Sequence, residues 1–179
     1  MLKDKFNNKV IPALVLKLGI SNVNAIPKIE KVVVNAGIGK LKDNKAAVES
    51  YIKDLTSITG QAPSKRQAVK AISNFKLRKG EIVGLTVTLR GQLMWGFLEK
   101  LINVVLPRTR DFDGISVKSF DNGGNYSLGM NDHTVFPEID TNRVDMIKNL
   151  QINIVTNARN KEDSLALLEE LGFPFKKSK

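Results

Sequence analysis

Apolar residues return every fourth position at the start of the chain: Phe6, Val10, Leu14 and Leu18 share one face of a helix, which Pro12 is expected to kink or restart. Gly19 to Pro27 reads as a loop. Lys28 to Ala36 then alternates as a strand, with Glu30, Val32 and Val34 on one face and Ile29, Lys31, Val33 and Asn35 on the other. Gly37 and Gly39 close it. Val48, Tyr51, Ile52, Leu55 and Ile58 mark an amphipathic helix that stops at Gly60. The clearest strand runs from Ile82 to Arg90: Val83, Leu85, Val87 and Leu89 point one way, and Gly84, Thr86, Thr88 and Arg90 the other.

Gln92 to Val105 is apolar nearly all round, which predicts a clamped helix ended by Pro107. Short strands are predicted at Ile115–Phe120 and Tyr126–Leu128, separated by the turn Asp121–Asn125 within a Gly- and Asn-rich stretch from Asp111 to Phe136. Leu150 to Thr156 alternates as a last strand. Asn160 reads as an N-cap, Glu162 and Asp163 fill the first turn, Leu165, Leu168 and Leu171 form the buried stripe, and Gly172 stops the helix. This order predicts one α+β domain over residues 1–179: an antiparallel or mixed sheet, helices on one face, the other face open and polar. Residues 1–20 supply the N-terminal helix, 26–90 the binding half and 91–179 the remainder.

Composition narrows the chemistry. The 179 residues include no cysteine, which excludes a disulfide framework, thiolate-ligated zinc, an iron–sulfur cluster and a thiol nucleophile. Mean hydropathy is −0.15, and the early apolar run Val10–Leu16 is too short to span a membrane, so a soluble, cytoplasmic protein is expected. Gly37-Ile38-Gly39-Lys40 lacks the spacing and hydroxyl of a P-loop, and Lys42 stands where a dinucleotide fingerprint needs glycine. Asp111 and Asp113 read as turn residues because Ile115 stands where a cation loop needs oxygen. His133 is the only histidine and reads as a loop residue whose removal is harmless. Glu138 and Asp140 lack a positioned acid partner. No catalytic constellation, metal site or cofactor is expected.

Charge supplies the positive signal. Lys65, Arg66, Lys70, Lys76, Arg78 and Lys79 lie between Gln61 and Gly80 with no acid among them, in a chain of formal net charge +10. Clustered cations repel one another, and a polyanion neutralises them by counterion release. Phe75 in their midst is either a stacking platform or a core residue pinning the loop. Lys31 and Asn35 share one strand face, and Thr86, Thr88 and Arg90 another. A polar sheet face for stacking and hydrogen bonding, rimmed by basic loops that grip phosphates, suits RNA.

The chain also resembles the bacterial large-subunit ribosomal protein number five family, which binds 5S rRNA. The likeness runs from Ile26-Pro27-Lys28-Ile29-Glu30-Lys31-Val32-Val33-Val34-Asn35-Ala36-Gly37-Ile38-Gly39 through Ser73-Asn74-Phe75-Lys76-Leu77-Arg78-Lys79-Gly80, Val87-Thr88-Leu89-Arg90-Gly91 and Pro107-Arg108-Thr109-Arg110-Asp111-Phe112. It continues at 121–130, at Phe136-Pro137-Glu138-Ile139-Asp140 and at Gly172-Phe173-Pro174-Phe175. The resemblance implies a non-catalytic constituent of the central protuberance, bound to 5S and large-subunit rRNA and not a homo-oligomer. It implies 5S rRNA contacts at Asn35, Gln61, Phe75 and Thr88, which join Lys31, Lys65, Arg66, Thr86 and Arg90, the RNA contacts expected from charge and strand faces. It further implies that Lys70, Ser73, Asn74, Lys76, Arg78 and Lys79 touch P-site tRNA, and that the Asp111–Asp140 region reaches a small-subunit protein. Rival readings are an RNA-processing enzyme and a basic adaptor for an acidic protein.

Overall fold

The computed structural model describes residues 1–20, 22–39, 41, 44–110, 112–141 and 146–176; Lys40, Lys42 and Asp111, weighed above, lie outside them. Among the described residues four long helices and five strands make an α+β fold: α1 (2–18), β1 (Ile29–Gly37), α2 (Lys45–Thr59), β2 (Ser64–Gln67), β3 (Ile82–Leu89), α3 (91–108), β4 (Tyr126–Met130), β5 (Leu150–Thr156) and α4 (Lys161–Leu171). The strands form one sheet in the order β2-β3-β1-β5-β4. Its neighbours run antiparallel: β2 on β3 by register, β3 on β1 through Ile38 N–H to Val83 O (3.0 Å), and β1 on β5 through Asn157 N–H to Lys28 O (3.1 Å). Residue contacts cluster into two compact units, Met1–Val32 with Arg90–Leu128 and Asn153–Lys179, and Val33–Leu89 with Gly129–Ile152.

In the first unit, Phe6, Val10 and Leu14 of α1 are buried as their spacing predicts. Both prolines of the long helices follow a π-helical turn. Phe6–Val10 precedes Pro12, and Leu101–Val105 precedes Pro107. Proline supplies no N–H and its ring crowds the carbonyl four residues back, and a widened turn relieves both defects. Pro107 therefore does not end its helix at Val105: α3 continues to Arg108. Lys5 Nζ donates to Leu171 O (2.8 Å) at the C-terminus of α4, where a cation meets the helix dipole and an otherwise open carbonyl.

Asn160 caps α4 as predicted, its side chain accepting from Asp163 N–H (2.8 Å). The buried stripe differs: Leu167 is buried and Leu165 only half so. The expected strand at Ile115–Phe120 is instead a 3₁₀ turn, Val117–Ser119, begun by the Ser116 side chain accepting from Lys118 N–H (3.1 Å). A serine hydroxyl that satisfies a local N–H competes with strand pairing. The Asp121–Asn125 turn is as expected, and Asp121 binds both the backbone N–H (2.7 Å) and the side-chain amide (2.9 Å) of Asn125.

In the second unit, Tyr51, Leu55 and Ile58 of α2 are buried, and α2 packs on β3. Gly60 ends that helix in the left-handed conformation, φ +70. Val34 and Ala36 of β1 and Leu85, Val87 and Leu89 of β3 are buried, as alternation requires. The phase at the start of β1 departs from expectation: Ile29 is buried and Glu30 exposed, because an unpaired carboxylate is costly to bury.

Candidate nucleic-acid interface

The stretch read as a basic loop contains a strand that the sequence conceals. β2 pairs with β3 as Ser64 opposite Thr86, Lys65 opposite Leu85 and Arg66 opposite Gly84, then slips so that Gln67 meets Ile82. All four β2 residues are exposed, so no apolar alternation betrays them. Residues paired across an antiparallel ladder project from the same face. Ser64 and Arg66 therefore join Thr86 and Thr88, which are half-buried, and Lys65 falls on the side of the buried Leu85.

Asn35 of β1 completes the row. Thr86 Oγ1 donates to Asn35 Oδ1 at 3.1 Å, which ties β3 to β1 on the polar side. Of the residues predicted to contact RNA, Asn35, Arg66, Thr86 and Thr88 share one face of β1, β2 and β3 within the second unit. Lys31 and Arg90 belong to the first unit; Lys31 is half-buried and Arg90 exposed at the start of α3. Lys65 stands apart: with Ile38, Val48, Ile52 and Ile82 it lines a cavity of about 340 Å³ between α2 and the sheet edge. As the outermost strand, β2 also gains from its two cations protection against pairing with another chain.

Beyond β2 the chain folds into a hairpin. Ala68 N–H donates to Glu81 O (2.8 Å) and Gly80 N–H to Ala68 O (2.9 Å) at its base. Ile72 and Leu77 exchange backbone bonds (3.0 and 3.1 Å) near its tip, where Ser73–Phe75 makes a 3₁₀ turn. Lys76 follows at φ +49, a left-handed conformation that non-glycine residues hold at a cost. Phe75 is 75 % exposed, which rules out the core-anchor reading; Val69 is 79 % exposed. Lys70, Ser73, Asn74, Arg78 and Lys79 are exposed around that tip. Among the described residues no carboxylate forms an ion pair with Lys65, Arg66, Lys70, Arg78 or Lys79. Gln61 is exposed just past α2, its carbonyl accepting from Thr59 Oγ1 (2.9 Å).

His133 corrects the sequence reading. It lies in a loop, but it is completely buried, and Lys148 N–H donates to its Nδ1 at 3.2 Å. A residue so placed is not one whose removal is harmless. Nothing nearby in sequence announces this, because its partners Tyr51, Asp54 and Lys148 come from distant segments. Among the described residues no group of three or more His, Asp or Glu is placed to hold a metal, and no helix is long and apolar enough to cross a membrane.

Comparison with known proteins places these residues in context. Residues 22–78 match the family described as ribosomal protein L5, and residues 82–175 match the model of that ribosomal family's C-terminus. The large ribosomal subunit protein uL5 of Dictyoglomus turgidum is 51 % identical over 99 % of this chain and 99 % of its own length. That of Picosynechococcus is 49 % identical over 99 % of this chain and 98 % of its own. That of Thermus aquaticus is 49 % identical over 98 % and 97 %.

Proposed function

Since this chain belongs to the ribosomal protein L5 family, we propose that it binds 5S rRNA through the polar row of β1, β2 and β3 and thereby attaches that RNA to the central protuberance of the large subunit. It is a structural constituent of the large ribosomal subunit and not an enzyme. The observation that carries the binding proposal is the Asn35–Thr86 pair flanked by Arg66 (3.1 Å between Oδ1 and Oγ1). It offers hydrogen-bonding groups and a cation side by side, the combination that reads base edges while gripping phosphate. Gln61 and Phe75 extend the set, and Lys31 and Arg90 are further RNA contacts of the first unit. The hairpin tip, with Phe75 exposed among Lys70, Ser73, Asn74, Lys76, Arg78 and Lys79, suits stacking and phosphate contact together, and P-site tRNA is its proposed partner. The region 111–140 is proposed to meet a small-subunit protein.

Asn35→Ala and Thr88→Val test the row. Each removes a hydrogen-bonding group from a half-buried surface position, and Asn35→Ala also strips Thr86 of its acceptor. Each is expected to weaken 5S rRNA binding by about 0.5–1.5 kcal/mol, roughly two- to tenfold. Circular dichroism should stay unchanged. Wild-type affinity in both variants, measured by filter binding, would remove the row from the interface. Arg78→Ala is expected to impair P-site tRNA binding in reconstituted subunits more than it impairs 5S rRNA capture; equal losses would join the hairpin and the sheet into one undivided surface.

A further inference from the structure

Four side chains in the second unit, three of them buried and Asp54 half-buried, form a polar cluster that the RNA interface does not use. His133 is 0 % exposed and Lys148 8 %. The Lys148 ammonium lies 2.7 Å from Asp54 Oδ2 of α2. The same carboxylate oxygen is 3.6 Å from His133 Nε2. Tyr51, one turn earlier on α2, sets its ring edge-on to the imidazole, 5.9 Å between centroids. The Lys148 ammonium sits 4.8 Å from the centre of the Tyr51 ring, and the Tyr51 hydroxyl donates to Asn149 O at 2.7 Å.

These contacts define a tautomer. Nδ1 of His133 accepts from the Lys148 N–H, so it carries no proton, and the neutral ring keeps its proton on Nε2, facing Asp54. Adding a proton to Nδ1 would bring two donors face to face and break the bond that joins residues 133 and 148. It would also place a second cation beside the Lys148 ammonium, with which Asp54 is already paired.

We propose that Tyr51, Asp54, His133 and Lys148 form an acid-released latch that fastens the chain at residues 133 and 148 to α2 while His133 is neutral. Protonation of the ring opens it. The groups facing His133 pull in both directions. Burial and then the Lys148 ammonium lower its pKa from the ordinary 6.5, while Asp54 and Asp132 act to raise it. Burial, aided by Asp54, raises that of Tyr51, which therefore remains a neutral donor throughout. A released ring takes up its proton near 6.5 and a latched ring only at lower pH. The latch thus contributes its full stability above 6.5 and loses it as pH falls from there toward the latched pKa.

His133 is the only histidine in the chain, so its ring proton resonances report the latch alone. Nuclear magnetic resonance titration of the folded full chain is expected to give a midpoint below 6.5. Over the interval between that midpoint and 6.5, amide exchange at Lys148, corrected for its intrinsic rate, should accelerate by about tenfold per pH unit. The amide of Leu14, in the other unit, should show no such change. His133→Asn retains an acceptor at the Nδ1 position without a titrating proton, and its Lys148 exchange should be flat with pH. Should that variant not fold, the wild-type titration decides alone. A midpoint at or above 6.5, or wild-type exchange at Lys148 that ignores pH through this range, would overturn the latch.

Discussion

Gly124→Ala is expected to cost about 2–5 kcal/mol of folding stability, from a left-handed backbone that alanine resists and an overlap the site cannot relieve. Gly124 stands at φ +75, and a Cβ there would lie 2.9 Å from Asn160 O, 3.1 Å from Ala158 Cβ and 3.3 Å from Ser164 Cβ. None of these can retreat cheaply. Asn160 O already accepts from Ser164 N–H (3.4 Å) in the first turn of α4. The turn cannot retreat either, because Gly124 O accepts from Thr156 Oγ1 (3.0 Å) and Asn125 Oδ1 from Thr156 N–H (3.2 Å). Gly123 is the internal control: its backbone is outside the left-handed region, and a Cβ would meet only the side-chain ends of Asn125 and Asp121, both at 3.5 Å. Gly123→Ala should cost under about 1 kcal/mol, as ordinary surface changes do. Urea unfolding of the two variants followed by circular dichroism compares them. Equal midpoints would mean that the turn does not dock on α4 as described.

The contrast between these glycines also shows what a sequence can disclose. The turn was legible from Asp121, Asn122 and Gly123, since those residue types punctuate chains through local bonding. Which glycine is indispensable was not, because the atoms that crowd Gly124 come from 158–164. The same division holds elsewhere. The faces of α1 and β3 were readable because burial imposes a period on many residues at once. β2 was not, since an edge strand with four exposed polar residues leaves no period to read. π-helical turns before Pro12 and Pro107 escape a rule that treats proline as a terminator. On the polar face, strand alternation placed Thr86 and Thr88 together, and the register alone separates Arg66 from Lys65. His133 was misread for the reason that concealed Gly124: its partners are remote in sequence.

That separation makes the sharpest test of the interface. Arg66 and Lys65 are adjacent, exposed and alike in charge, so a purely electrostatic attraction would treat them as equals. Their register does not. Arg66 pairs with Gly84 and shares the face of Thr86 and Asn35, while Lys65 pairs with Leu85 and lines the cavity under α2. Arg66→Ala is expected to weaken 5S rRNA binding by about 1–3 kcal/mol, roughly five- to 150-fold, and to reduce the slope of log affinity against log salt by about one phosphate contact. Lys65→Ala should stay within about twofold of wild type with an unchanged slope, because a charge on the far face acts only through a field that salt screens within about 10 Å. Neither change should alter the unfolding midpoint, since both side chains stand in solvent. The comparison needs only 5S rRNA titrated at several potassium concentrations. Equal losses would reduce the stretch to an unoriented cationic patch, and a larger loss at Lys65 would move the RNA to the opposite face of the sheet.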